Sequence, residues 1–99
     1  MGRWYEAAGY EVLARNWRCR EGELDLVVAR PGLVVFVEVK ARTSNAYGSP
    51  AEAVTWQKQQ RIRRLAARFL EEHPGTSRRV RFDVACVLAG RVEVLESAF

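Results

Sequence analysis

Residues Gly22 to Lys40 constrain this chain more than any other stretch. Two apolar runs suited to β-strands, Leu24–Ala29 and Leu33–Val39, flank Pro31-Gly32, a natural pair for the centre of a type II turn. Symmetric pairing about that turn places Asp25 opposite Glu38 and Glu23 opposite Lys40. Cross-strand neighbours share a face and successive side chains alternate, so all four charged groups should converge on one face at the open end. The other face reads Leu24, Leu26, Val28, Leu33, Val35, Val37 and Val39, which is uninterrupted core material. Type II turns match strand twist less well than primed turns, so a longer loop is an alternative. Symmetric lengthening keeps the pairing, whereas a one-residue slip separates Asp25 from Glu38.

Three carboxylates and a lysine beside a buried surface are costly to hold uncompensated, and a divalent cation would compensate them. The bland alternative is a salt-bridge cluster in which Lys40 pairs with Glu23 or Glu38. The basic residues comprise 14 arginines and only two lysines, Lys40 and Lys58. A lysine at the end of an apolar strand is therefore less easily read as casual surface charge. A net charge of +4 modestly favours a polyanionic partner. Ninety-nine residues make one domain, and no apolar run approaches the roughly 20 residues that span a bilayer. With no signal-like N-terminus, the expected location is cytoplasmic, without membrane association. Cys19 and Cys86 lie outside any CxxC pair and His73 is the single histidine, which excludes an ordinary zinc site and makes both thiols packing residues.

The rest of the chain reads as helix over 1–8 stopped by Gly9, a strand over 10–15, and a loop over 16–22 leading into the hairpin. A polar loop from Ala41 to Gly48 follows, then the capping-box order Ser49-Pro50-Ala51-Glu52. Thr55 can cap a long helix in which Ile62, Leu65, Ala66, Phe69 and Leu70 keep helical spacing, ended by Pro74-Gly75. Strands over 79–88 and 91–95 close the chain around Ala89-Gly90. The expected class is α/β or α+β in the order α-β-β-β-α-β-β, a mixed sheet flanked by helices.

Phosphodiester hydrolysis needs a hydroxide, neutralisation of developing charge and help for the leaving oxygen, which divalent ions held by carboxylates supply. Mg2+ or Mn2+ is the expected cofactor, with Asp25 and Glu38 as ligands and the Val39 carbonyl as a third. Lys40 would orient the attacking water and stabilise charge. Glu23 is either a further catalytic or metal-site carboxylate or a salt-bridge partner of Lys40.

Asp25 followed by Glu38-Val39-Lys40 resembles the PD-(D/E)xK signature of the restriction-endonuclease-like nucleases. Gly9-Tyr10, Arg15-Asn16-Trp17-Arg18, Gly22-Glu23-Leu24-Asp25-Leu26, Phe36-Val37-Glu38-Val39-Lys40-Ala41-Arg42, Tyr47-Gly48-Ser49-Pro50, Lys58, Arg81-Phe82-Asp83-Val84 and the terminal Ala98-Phe99 are similar to the YraN-like family of bacterial proteins. That family is grouped with archaeal Holliday-junction-resolvase-like nucleases, so the resemblance implies their core fold and, by analogy, a metal-dependent DNA endonuclease acting on branched substrates. The resemblance also implies a longer first helix with an upstream glutamate near the metal. Glu6 is too close to Gly9 to replace it, so the first helix reads as truncated and the metal site as lacking that carboxylate.

A nucleic-acid surface would draw on Lys58, Arg61, Arg64 and Arg68 along the helix, with Arg63 on the flank. Arg42, Thr43 and Ser44 follow the active strand, and Arg18 and Arg20 would flank it from the other side. Trp17 and Trp56 are candidates for base stacking, with core packing the commoner role. Asp83 beside Arg81 reads as a structural ion pair. Two rival functions stand beside the nuclease: a catalytically weak or inactive nucleic-acid-binding module of the same fold, and an interaction protein with a structural charge cluster. A two-fold homodimer would suit a four-way junction by symmetry.

Overall fold

Strand-forming residues and turn residues alternate so regularly that most element boundaries follow from them. The computed structural model describes residues 1–42, 54–75 and 79–99. Helix α1 spans Gly2–Ala7, β1 Glu11–Cys19, β2 Gly22–Arg30, β3 Leu33–Arg42, α2 Trp56–Glu72, β4 Arg79–Leu88 and β5 Arg91–Leu95. The five strands form one sheet in the order β1-β2-β3-β4-β5. β3 and β4 run parallel and the other pairs antiparallel, giving the mixed sheet with two helices that the pattern predicts.

The β2–β3 hairpin turns in two residues. Arg30 pairs with Leu33, Val28 with Val35 and Leu26 with Val37, so the symmetric register holds. Gly32 at φ +79° supplies the left-handed position that a type II turn requires. Thr55 caps α2 by accepting from the Lys58 N–H at 3.2 Å. The Ser49–Glu52 capping box lies outside the described residues.

Two elements are longer than their sequence suggests. β1 continues through the expected 16–22 loop to Cys19, pairing Trp17 with Leu24 and Cys19 with Gly22. β3 runs on to Arg42, because its parallel pairing with β4 extends to Arg42 opposite Leu88.

The sheet is buried on both faces. On the α2 side, Ile62, Leu65, Ala66 and Phe69 pack on Leu24, Val27, Val34, Phe36, Phe82 and Val84. Phe36 meets Phe69 edge-on at 5.8 Å and stacks with Phe82 at 5.7 Å. On the α1 side, Tyr5 and Tyr10 pack with Leu26, Val28, Leu33, Val35, Val37 and Ala85. Cys19 and Cys86 are free thiols within this packing.

The expected single apolar face is therefore corrected at one point. Leu24 belongs to the α2 side, whereas Leu26 and Val28 belong to the α1 side. β1 does the same, since both Ala14 and Trp17 pack on the α2 side. Both strands thus reverse their facing at one level of the sheet, at Asp25 and at Asn16 across from it. Asn16 has φ +49°, a left-handed conformation that asparagine tolerates better than most residues.

Candidate functional site

The reversal takes Asp25 out of strict alternation. The β2–β3 pairing ends at Leu26–Val37, and beyond it the Asp25 carboxylate takes over, with Oδ2 accepting the Val39 N–H at 2.9 Å. A backbone donor at the end of a ladder is satisfied by a side chain, and the carboxylate is fixed against β3.

Glu38 and Lys40 follow Val34 and Phe36 with period two, so both lie on the α2 face. There the first turn of α2 brings Lys58, whose Nζ stands 3.0 Å from Glu38 Oε1, while Lys40 Nζ stands 3.6 Å from the same oxygen. The Glu38 side chain is only 12 % exposed, so this is a half-buried cluster and not a solvated pair. Hydrogen bonding to Lys58, burial and the Lys58 charge hold Lys40 below the ordinary lysine value against the pull of Glu38. Lys58 moves the opposite way, raised first by its hydrogen bond to Lys40 and further by Glu38 and Asp25.

Glu23 departs from expectation. It stands opposite Arg18 on β1 and pairs with it at 3.3 Å. Because Leu24 and Trp17 point to α2, their neighbours Glu23 and Arg18 point to the other face, away from Lys40. This corrects both the Glu23–Lys40 pairing and the picture of four charges on one face. The site is Asp25, Glu38, Lys40 and Lys58.

The helix stripe also divides. Lys58 turns to Glu38, and Arg68 is held by Glu21 and by Glu72, each at 3.0 Å. Arg63 lies over the rings of Phe82 and Phe99, at 4.7 and 5.6 Å. Arg61 and Arg64 are exposed and carry no ion pair among the described residues. Trp17 packs edge-on against Phe69 at 5.5 Å and belongs to the core, whereas Trp56 is 69 % exposed beside the site. Arg20 is exposed in the β1–β2 turn. Thr43, Ser44 and the Arg42 side chain lie outside the described residues.

Two residues at the site escaped the sequence reading. Arg15 and Asn16 line a pocket of about 370 Å3 together with Met1, Asp25, Leu26 and Val39. The signal was present in the Arg15-Asn16-Trp17-Arg18 motif, but ending the strand at Arg15 and reading Asn16 onward as loop hid which side chain faces Asp25.

The donor set is oxygen only. Among the described residues no three His, Cys, Asp or Glu side chains gather as a metal-binding group. Asp25 keeps one carboxylate oxygen beyond its bond to Val39, and the lysines approach a single oxygen of Glu38. Two carboxylates of this kind fit Mg2+ or Mn2+, which bind through few protein oxygens and retain waters, and do not fit a structural zinc.

A family model described as uncharacterised protein family UPF0102 matches residues 1–87, from α1 through nearly all of β4. The chain belongs to this family. A UPF0102 protein of Beutenbergia cavernae is 58 % identical over 99 residues, covering 95 % of this chain and 84 % of its own length. A UPF0102 protein of Frankia casuarinae is 57 % identical over 98 residues, covering 94 % and 83 %. One from Frankia alni is 54 % identical over 98 residues. Every site residue of this UPF0102 chain falls within the matched span. Among the described residues, no helix is long and apolar enough to cross a membrane.

Proposed function

We propose that this protein is a metal-dependent nuclease of the restriction-endonuclease-like kind, hydrolysing phosphodiester bonds in DNA, with branched DNA among the substrates to be tested. One observation carries the reading: Glu38 and Lys40 from β3 meet Lys58 from α2 while Asp25 is pinned to the backbone of Val39. A surface salt-bridge cluster has no use for two half-buried lysines crowded on one carboxylate. The order α-β-β-β-α-β-β and the parallel β3–β4 pair suit that fold.

Asp25, Glu38 and the Val39 carbonyl would hold Mg2+ or Mn2+, which when bound would supply Lewis-acid activation of water and offset charge on the phosphate. The Val39 N–H fixes the Asp25 carboxylate, so its orientation is set before substrate arrives. Lys40, beside Glu38 at the end of β3, is placed to orient the attacking water and stabilise developing charge. Lys58, held charged by its neighbours, is placed to offset negative charge as the phosphorane forms. A two-fold homodimer would present two such sites to a four-way junction.

The test is cleavage of labelled single-stranded, duplex, flapped and four-way-junction DNA with Mg2+ or Mn2+. Wild type should cut and Asp25→Asn, Glu38→Gln and Lys40→Ala should each lose about 10²-fold or more. Wild-type rates in these variants would reject the site. Metal and DNA binding without cutting would favour a binding module that retains the fold.

A further inference from the structure

We propose that the pocket between Arg15, Asn16, Asp25 and Val39 seats a backbone phosphate of the bound strand, with the Arg15 guanidinium as its clamp. This rests on the nucleic-acid reading above and says where in that site the phosphate lies.

The pocket exists because β1 and β2 reverse their facing together. At that level Asn16 turns left-handed and Asp25 leaves the ladder to hold Val39, which opens about 370 Å3 on the α1 side of the sheet. Arg15 stands on β1 directly opposite Leu26, at the rim. Arg18, Arg68 and Arg81 are each held by a carboxylate. Arg15 lines the same pocket as Asp25, yet forms no ion pair with it or with any other described residue. An exposed guanidinium left unpaired beside a carboxylate is a donor set in search of an acceptor.

In the structure the guanidinium lies against Gly2 at the start of α1. A Cβ at Gly2 would land on the Arg15 guanidinium, so this glycine makes room for the side chain at the start of α1. The planar fork of arginine matches two phosphate oxygens, and the Asn16 amide adds a neutral donor. Asp25 repels an anion entering alone. A phosphate is therefore favoured here together with a cation on the carboxylate, which places Arg15 and the cation on opposite sides of the same group. Arg15 thus acts on the strand from the α1 side while Lys40 and Lys58 act from the α2 side.

The test is a cycle between Arg15 and single phosphates. Oligonucleotides carrying one neutral methylphosphonate at successive positions are bound, with Ca2+ present, to wild type, Arg15→Ala and Gly2→Ala. One position should weaken wild-type binding by about tenfold to a hundredfold, the range of a charged hydrogen bond. At that position Arg15→Ala should lose nothing further, the non-additivity that marks direct contact. Gly2→Ala should weaken the same position, while its thermal midpoint holds or rises because alanine favours a helix over glycine. Equal loss at every position would make Arg15 diffuse surface charge and overturn the clamp while leaving the nucleic-acid reading intact. Absence of any wild-type binding would overturn both.

Discussion

Asp83 and Glu38 sit almost side by side on the central parallel strands, with Val37 opposite Asp83 and Val84 opposite Glu38. They face opposite sides of the sheet, and their surroundings differ in kind. Asp83 is fully buried and its acceptors are saturated: Tyr5 Oη donates at 2.8 Å, Arg81 donates twice at 2.9 Å, and the Ser97 N–H donates at 3.1 Å. Arg81 also donates to Tyr10 Oη, closing a knot between β4, α1 and the start of β1. Glu38 is half-buried, and among the described residues its partners are two partly exposed lysines that approach a single oxygen. A charge whose partners are all matched holds a fold together. A cluster with surplus positive charge and spare acceptors is built to receive something.

The largest effect that tests this contrast is on stability. Asp83→Asn takes the buried carboxylate from half-buried Arg81 and leaves it the more distant Glu96 at 3.8 Å, so it should cost about 3 kcal/mol, the low end for breaking a buried pair. Glu38→Gln keeps the shape and leaves only partly exposed lysines, so it should change stability by less than about 1 kcal/mol. Urea unfolding reads both, and an unchanged slope would show that the unfolded state is not involved. Comparable losses would make Glu38 a structural partner like Asp83 and remove the basis for the site.

A smaller effect comes from Tyr5. Burial first, then its hydrogen bond to Asp83, raises its proton affinity above the ordinary phenol range. A raised native value means that the folded state binds the proton more tightly than the unfolded one. The contribution is therefore fully present below about pH 10, the unfolded phenol value, and is lost as pH rises above it. Tyr5→Phe should cost about 1–2 kcal/mol at neutral pH, through the lost bond and an Asp83 oxygen left short of a donor. It should also flatten the fall of stability above about pH 10, which approaches 1.4 kcal/mol per pH unit for one such group. Parallel curves for the two proteins would show that Tyr5 ionises freely in the folded state.

Much of the fold was legible because local signals agreed. Pro31-Gly32, Thr55 and Ala89-Gly90 each specify their turn or cap chemistry, and the structure places β2, α2, β4 and β5 accordingly. The symmetric register of the hairpin followed from its turn as far as Leu26–Val37, beyond which Asp25 bonds Val39, and the Asp83–Arg81 pair followed from their spacing on β4. The misreadings share one cause. Period-two alternation was carried straight through Asp25, where β2 reverses, so Leu24 and Glu23 were assigned to the wrong faces, while β1 was ended at Arg15, just before its own reversal at Asn16. No propensity scale marks such a reversal, because it is set by two strands jointly. The partners of Arg68 were hidden for a related reason: Glu21 lies 47 residues away, on a turn brought beneath α2 only by the fold.

That division of the α2 arginines gives the smallest predicted effect, and it repeats the central contrast on the surface. Arg68 resembles Arg81 in being held by carboxylates, Glu21 and Glu72, whereas Arg61 and Arg64 carry no such partner among the described residues. Reversing Arg61 and Arg64 to glutamate should therefore weaken DNA binding and lower the slope of log affinity against log salt by about 0.9 per lost phosphate contact. Arg68→Ala should leave both quantities close to wild type, since its guanidinium is already neutralised and breaking its pairs frees two carboxylates rather than a phosphate contact. Affinity titrations across a range of salt concentrations read both arms. Equal losses from Arg68 and from the Arg61–Arg64 pair would mean that intramolecular pairing does not decide which arginines meet the backbone. No loss from either would leave α2 outside the interface, and the strand would then have to lie along the Arg15 side of Asp25.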